Sequence, residues 1–173
     1  MYKLYCSSDN WKNLNKSRIF EEMYDGDYYT GECKIKFEFF GKLITINLQV
    51  MSEAEPTEYQ RETLDKFMRI FPSIQEKIIK RIVEYYNKEQ KNTYGPDDRD
   101  EMKKMWPDIN SVDEMLKHLE FNSIIIQDEY LYNDGTVFLA FFYDYGDDTE
   151  GDGIGIKITD GEITEIGYIS IAF

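Results

Sequence analysis

The sequence predicts an α+β domain: an N-terminal β-hairpin, a central helical hairpin plus a third helix, and a C-terminal antiparallel β-meander. Three observations predict it. Two runs of period two lie side by side between residues 29 and 50, segments of helical period with capping signals fill 57–119, and from residue 124 apolar runs alternate with Asp-Gly turns. A chain of 173 residues, 42% hydrophobic and 16% aromatic, is long enough to bury a core without disulfides or a structural metal, so 1–173 reads as a single domain.

Residues 1–28 read as an irregular lead-in, with a short strand near Tyr2 to Tyr5 and a turn at Asp25-Gly26-Asp27. From Tyr29 the pattern sharpens: Cys33, Ile35, Phe37 and Phe39 alternate with Lys34, Lys36 and Glu38. After Phe40-Gly41-Lys42, Ile44, Ile46, Leu48 and Val50 alternate with Thr45, Asn47 and Gln49, which makes an antiparallel hairpin with one buried face. Cys33 falls on that inward face, where a thiol behaves as a small hydrophobe.

Thr57-Glu58-Tyr59-Gln60 is a capping box after Pro56, and its helix puts Leu64, Phe67, Met68 and Phe71 on one side. Pro72 is expected to stop it, and Ser73-Ile74-Gln75-Glu76 to open a second helix striped by Ile74, Ile78, Ile82 and Tyr85. After the break at Tyr94-Gly95-Pro96, residues 98–105 form a short helix. Ser111-Val112-Asp113-Glu114 caps the third, with Met115, Leu116 and Leu119 on its apolar side. The closing strands are Ile124 to Leu131, Val137 to Tyr143, Ile154 to Ile158 and Ile163 to Phe173, and the two β regions are expected to share one sheet or two abutting ones.

A formal net charge of −14 argues against nucleic acid and anionic membrane as partners, since both demand clustered Lys and Arg. From Phe121 onward there are eleven acids and one base, Lys157. A basic protein partner complements such a field. Two cysteines are too few for a secreted disulfide scaffold. No signal-peptide core and no run of about 20 apolar residues is present, so a cytoplasmic location is expected.

The stretch from Asp144 to Gly153 concentrates the charge, with Asp144, Asp147, Asp148, Glu150 and Asp152 on one connection between strands. It is the candidate partner-binding site, with Tyr145 as an exposed aromatic anchor. An alternative is calcium or another metal: Asp148-Thr-Glu-Gly-Asp-Gly153 resembles the first half of a calcium loop, although its twelfth position is Thr159 rather than Glu and a strand follows. His118, the only histidine, has no second histidine for a metal pair and no nucleophile motif beside it, so no enzyme activity and no cofactor are expected. Tyr85, Tyr86 and the aromatics of 138–143 read as core. The run Gly151, Gly153, Gly155 lies among carboxylates and leads into a strand, which does not suit phosphate.

One resemblance spans roughly Tyr29 to Phe173. The hairpin, Pro56-Thr-Glu-Tyr-Gln60 opening a helix, the segment Ile78 to Tyr86 ending in a Tyr pair, the Tyr143-Asp144 step and Gly153-Ile-Gly-Ile156 resemble an uncharacterised family of small bacterial domains found among immunity proteins of polymorphic toxin systems. That family's acid-His-Gly step is Asp152-Gly153 here, without the histidine. The resemblance implies an intracellular, non-enzymatic immunity protein that binds and inhibits a cognate, basic toxin.

Overall fold

A computed structural model of the chain describes residues 15–19, 28–52, 57–146 and 153–173. Seven strands form one sheet in the order β1 (Asn15–Ile19), β2 (Tyr28–Phe39), β3 (Lys42–Ser52), β4 (Leu119–Ile126), β5 (Thr136–Tyr143), β6 (Gly153–Thr159) and β7 (Glu162–Tyr168). Every neighbouring pair is antiparallel except β3–β4. That pair is parallel because the chain crosses between its strands through the helices, as parallel neighbours require. One sheet therefore joins the two β regions, and the α+β class with its N-terminal hairpin and C-terminal meander holds. The expected strand near Tyr2 lies outside the described residues. The lead-in is not wholly irregular: β1 pairs with β2, Asn15 opposite Glu32 and Ile19 opposite Tyr28. Its five residues, Asn-Lys-Ser-Arg-Ile, carry no alternation to signal a strand.

The expected helical hairpin is instead one long helix. α1 runs Glu58–Tyr85 straight through Pro72, 28 residues and about 42 Å. Its start is as read: Thr57 Oγ1 accepts from the Gln60 N–H at 3.2 Å while Gln60 Oε1 accepts from the Thr57 N–H at 3.0 Å. A proline inside a helix costs about 3 kcal/mol. Leu64, Phe67, Phe71, Ile78, Ile79 and Ile82 are all buried on one stripe that crosses the proline without changing phase. At roughly 1.5–3 kcal/mol per buried large side chain, that continuous face outweighs the break. The supposed second capping box has other work. Ser73 Oγ donates to the Ile70 carbonyl, Glu76 pairs with Lys80, and Gln75 Oε1 accepts from the Phe40 N–H at 3.0 Å, tying the β2–β3 turn to the helix.

Beyond α1 the helix widens into a π-turn, Tyr86–Gln90, and ends as α2 (Lys91–Tyr94). α3 (Arg99–Met105) begins at Asp98, whose carboxylate accepts from the N–H groups of Asp100 and Glu101. α4 (Val112–Met115) is capped by Ser111 as expected but is a single turn, because the chain enters β4 at Leu119. β4 accordingly starts and ends earlier than read, and 127–131 form a turn in which the Asp128 carbonyl accepts from the N–H groups of Leu131 and Tyr132. The last run also divides: β7 stops at Tyr168, and Ile169–Ala172 fold into a 3-10 turn.

The main core lies between α1 and one face of the sheet, around Ile46, Leu48, Phe121, Phe141 and Ile156. A smaller cluster on the opposite face, Ile125, Phe138 and Ala140, is covered by Ile169 and Ala172 of the 3-10 turn. Register fixes what shares each end of the sheet. The Phe40-Gly41 turn, Leu119, Tyr143 and Gly153 lie at one end, the Phe40 end; Ser52, Ile126, Thr136 and the Asp160-Gly161 turn lie at the other, the Gln60 end.

Candidate functional site

The acidic connection leaves and re-enters the fold at the Phe40 end, and its entrance is held by aromatic packing. Tyr145 stacks on Tyr143 with ring centroids 4.3 Å apart and planes 9° from parallel, and meets Tyr86 edge-on at 4.8 Å and Trp106 at 5.6 Å. Its hydroxyl donates to Gln90 Oε1 at 3.0 Å. The π-turn carries both partners, Tyr86 and Gln90, buried four residues apart, and such insertions recur at functional sites. Tyr86 donates in turn to the Pro107 carbonyl.

The next residue, Gly146, donates its N–H to the Met105 carbonyl at 2.7 Å and lies close beside the Trp106 indole. With φ +88° and a hypothetical Cβ only 3.1 Å from Trp106 Cζ2, this position requires glycine. The exit is equally tight. A Cβ on Gly153 would come within 2.6 Å of both Ile169 Cδ1 and the Phe141 carbonyl oxygen. The two ends of the connection are thus bound to the core on either side of 147–152.

Asp144 is the exposed acid of the described part. Its N–H donates to the His118 carbonyl at 3.2 Å, and its Oδ1 lies 2.7 Å from His118 Nδ1. The pair lines an open cleft of about 260 Å³ with Lys117, Glu120 and Tyr143. Burial, joined by the neighbouring Tyr143, pushes the Tyr145 phenol above the ordinary tyrosine range, and burial does the same to Tyr86. Trp106 is 3% exposed, and its Nε1 has no hydrogen-bond partner among the described residues.

Of the expected site, only Asp144 and Tyr145 lie among the described residues. Asp144 is exposed as read. Tyr145 is not an exposed anchor: it is 6% exposed, because its ring completes the core cluster and its hydroxyl is satisfied inside. Asp147, Asp148, Glu150 and Asp152 lie outside the described residues, as does the calcium-like run up to Gly153. Among the described residues no group of three or more His, Cys, Asp and Glu could hold a metal ion.

The seven described acids after Phe121 do not share one face. Asp128, Glu129, Asp134, Asp160 and Glu162 belong to the Gln60 end, where most serve the fold. Asp128 accepts from the Tyr130 N–H, Glu129 from the Thr57 hydroxyl, Asp134 from the Thr136 hydroxyl, and Glu162 pairs with Lys77. Sequence reasoning also missed the roles of His118 and Trp106. A lone histidine and a tryptophan before proline carry no spacing signal, and only the β4–β5 register brings His118 beside Asp144.

The Gly run finds a structural use. Gly155, which would place a Cβ 2.5 Å from Ile171 Cγ1, and Gly153 leave room on the sheet for the C-terminal 3-10 turn. A family model described as Domain of unknown function (DUF6985) matches residues 19–173. No curated protein and no solved structure matches the chain.

Proposed function

The chain belongs to the DUF6985 family, and from that premise we propose that it is a binding protein which captures a basic protein partner through the carboxylates of Asp144, Asp147, Asp148, Glu150 and Asp152. The observation that carries the reading is the double anchorage of that connection. Gly146 is seated under Trp106 and Gly153 against Ile169, so a chain segment with four carboxylates between residues 147 and 152 is presented from fixed points. Concentrated negative charge beside a rigid scaffold speeds association with a positive surface and rejects like-charged partners.

His118 holds the one described carboxylate of the connection in place, its Nδ1 2.7 Å from Asp144 Oδ1. In the finer form of the proposal the partner is a cognate basic toxin, the chain is its bacterial, cytoplasmic immunity protein, and inhibition follows from occupying the toxin's basic surface. That form draws on the family resemblance of the hairpin, the Thr57 box and the Tyr143-Asp144 step.

The test uses the purified protein as bait at low and high salt, beside a variant carrying Asp147→Asn, Asp148→Asn, Glu150→Gln and Asp152→Asn. A basic protein retained at low salt, released by salt and lost with the variant supports the reading. Equal retention by both proteins removes these acids as the site.

A further inference from the structure

The seam between β3 and β4 is closed at one end of the sheet and open at the other. At the Gln60 end the buried Gln60 side chain bridges it, donating through Nε2 to the Met51 carbonyl at 2.7 Å and the Gln127 carbonyl at 3.0 Å. Between those carbonyls and the middle of the sheet the strands pair only over Asn47–Val50 and Ser123–Ile126. Toward the Phe40 end the ladder stops among the described residues, although β3 continues back to Lys42 and β4 to Leu119. The two walls part around a groove of about 690 Å³.

Hydrogen-bond geometry tells which backbone groups face that groove. Phe40 and Gly41 both have positive φ, so Phe39 and Lys42 close a two-residue hairpin as a hydrogen-bonded pair. Alternation then places Leu43 and Thr45 at non-hydrogen-bonded positions relative to β2, with their N–H and C=O groups turned toward the groove. On the other wall, the bond from the Asp144 N–H to the His118 carbonyl makes Leu119 and Tyr143 a non-hydrogen-bonded pair, so the Leu119 backbone also turns inward.

Apolar side chains of Phe40, Ile44, Leu116 and Leu119 line the interior. Asp113, Glu120, Lys42 and Lys117 complete the lining, and through Lys117, Leu119 and Glu120 the groove adjoins the His118–Asp144 cleft, which adds a third carboxylate. Two half-sheet edges facing each other across an apolar groove are the ingredients of strand addition.

We propose that the groove between Lys42–Ile46 and the start of β4 accepts an extended segment of the partner, alternating apolar and basic residues, as an inserted strand. Apolar side chains would enter beside Ile44 and Leu116, while basic ones reach the carboxylates of Asp113 and Glu120 and, through the adjoining cleft, Asp144. The basic half of this assignment rests on the proposed capture of a basic protein; the strand geometry does not.

The probe is an acetylated, amidated heptapeptide of alternating Val and Lys, titrated into the full chain with amide hydrogen exchange as readout. Binding should slow exchange at Leu43, Thr45 and Leu119. Thr45→Pro removes one groove-facing N–H without touching the β2 ladder, and should weaken binding about tenfold, the scale of one desolvated hydrogen bond. Thr45→Val, which keeps the N–H, should bind as the parent does.

The proposal is overturned by no binding at millimolar peptide, by protection elsewhere such as at β7, or by unchanged affinity in a folded Thr45→Pro protein. Equal binding of a Val-Ser peptide overturns the basic assignment alone. A protein that captures its basic partner in a salt-dependent way yet leaves these amides unprotected keeps the acidic surface and loses the groove, so the two readings fail separately.

Discussion

Tyr145 and Asp144 are adjacent in sequence and opposite in role. Tyr145 points into the aromatic cluster and donates a hydrogen bond to Gln90, a residue 2% exposed. Tyr145→Phe leaves that acceptor without its hydroxyl donor and should cost about 1–3 kcal/mol in denaturant unfolding. The same burial sets an alkaline limit. The fold favours the neutral phenol, so its pKa is raised from the ordinary 10.0. The unfolded chain then holds fewer protons above that pH, and stability, complete below pH 10, falls as pH rises through the raised value. An unfolding series above pH 10 should show a shallower decline for Tyr145→Phe than for the parent. Asp144 turns outward and pairs with His118, with 68% of its side chain exposed. Asp144→Asn should therefore change stability by less than about 1 kcal/mol, while slowing association with a basic partner at low salt. A large loss of stability would make Asp144 a structural residue instead.

Among the elements, α1 does the most to organise the molecule, and it does so through glutamines as well as its apolar stripe. Gln60 caps its own helix and bridges β3 to the turn after β4; Gln75 holds the Phe40 turn. Removing Gln60 strands two carbonyls at a buried seam. Gln60→Ala should cost about 2–5 kcal/mol from two lost partners and should speed amide exchange at the Gln60 end of β3 and β4. A mild effect with unchanged exchange would mean that water replaces the side chain there. The capping box at Thr57 is legible because capping is local chemistry within four residues. Pro72 misleads for the same reason: a local breaker says nothing of the stripe that spans it, and the stripe is satisfied only when the sheet is there to bury it.

At the scale of the whole molecule, the sheet has a helical face and a second face closed by five C-terminal residues. Ile169 and Ala172 cover Ile125, Phe138 and Ala140 on strands that the glycines of β6 keep clear. A chain ending at Tyr168 should expose this patch, bind a hydrophobic dye and unfold at a lower temperature, with aggregation as the visible sign. Unchanged dye binding would show that the second face does not depend on the turn.

What the sequence by itself determined is whatever is periodic or local: the β2–β3 hairpin, the meander, the caps at Thr57 and Ser111, and the exposure of Asp144. Period and cap chemistry are written within a few residues, and the α+β class follows from their order. Only the tertiary structure decided the rest. It joined both β regions into one sheet through the parallel β3–β4 pair, carried α1 through Pro72, added β1, buried Tyr145 and set Asp144 at the opposite end of the sheet from Asp128, Glu129, Asp134, Asp160 and Glu162. Each of these depends on residues far apart in the chain meeting across strands, where burial and register outweigh local preference and no spacing in the sequence encodes the encounter.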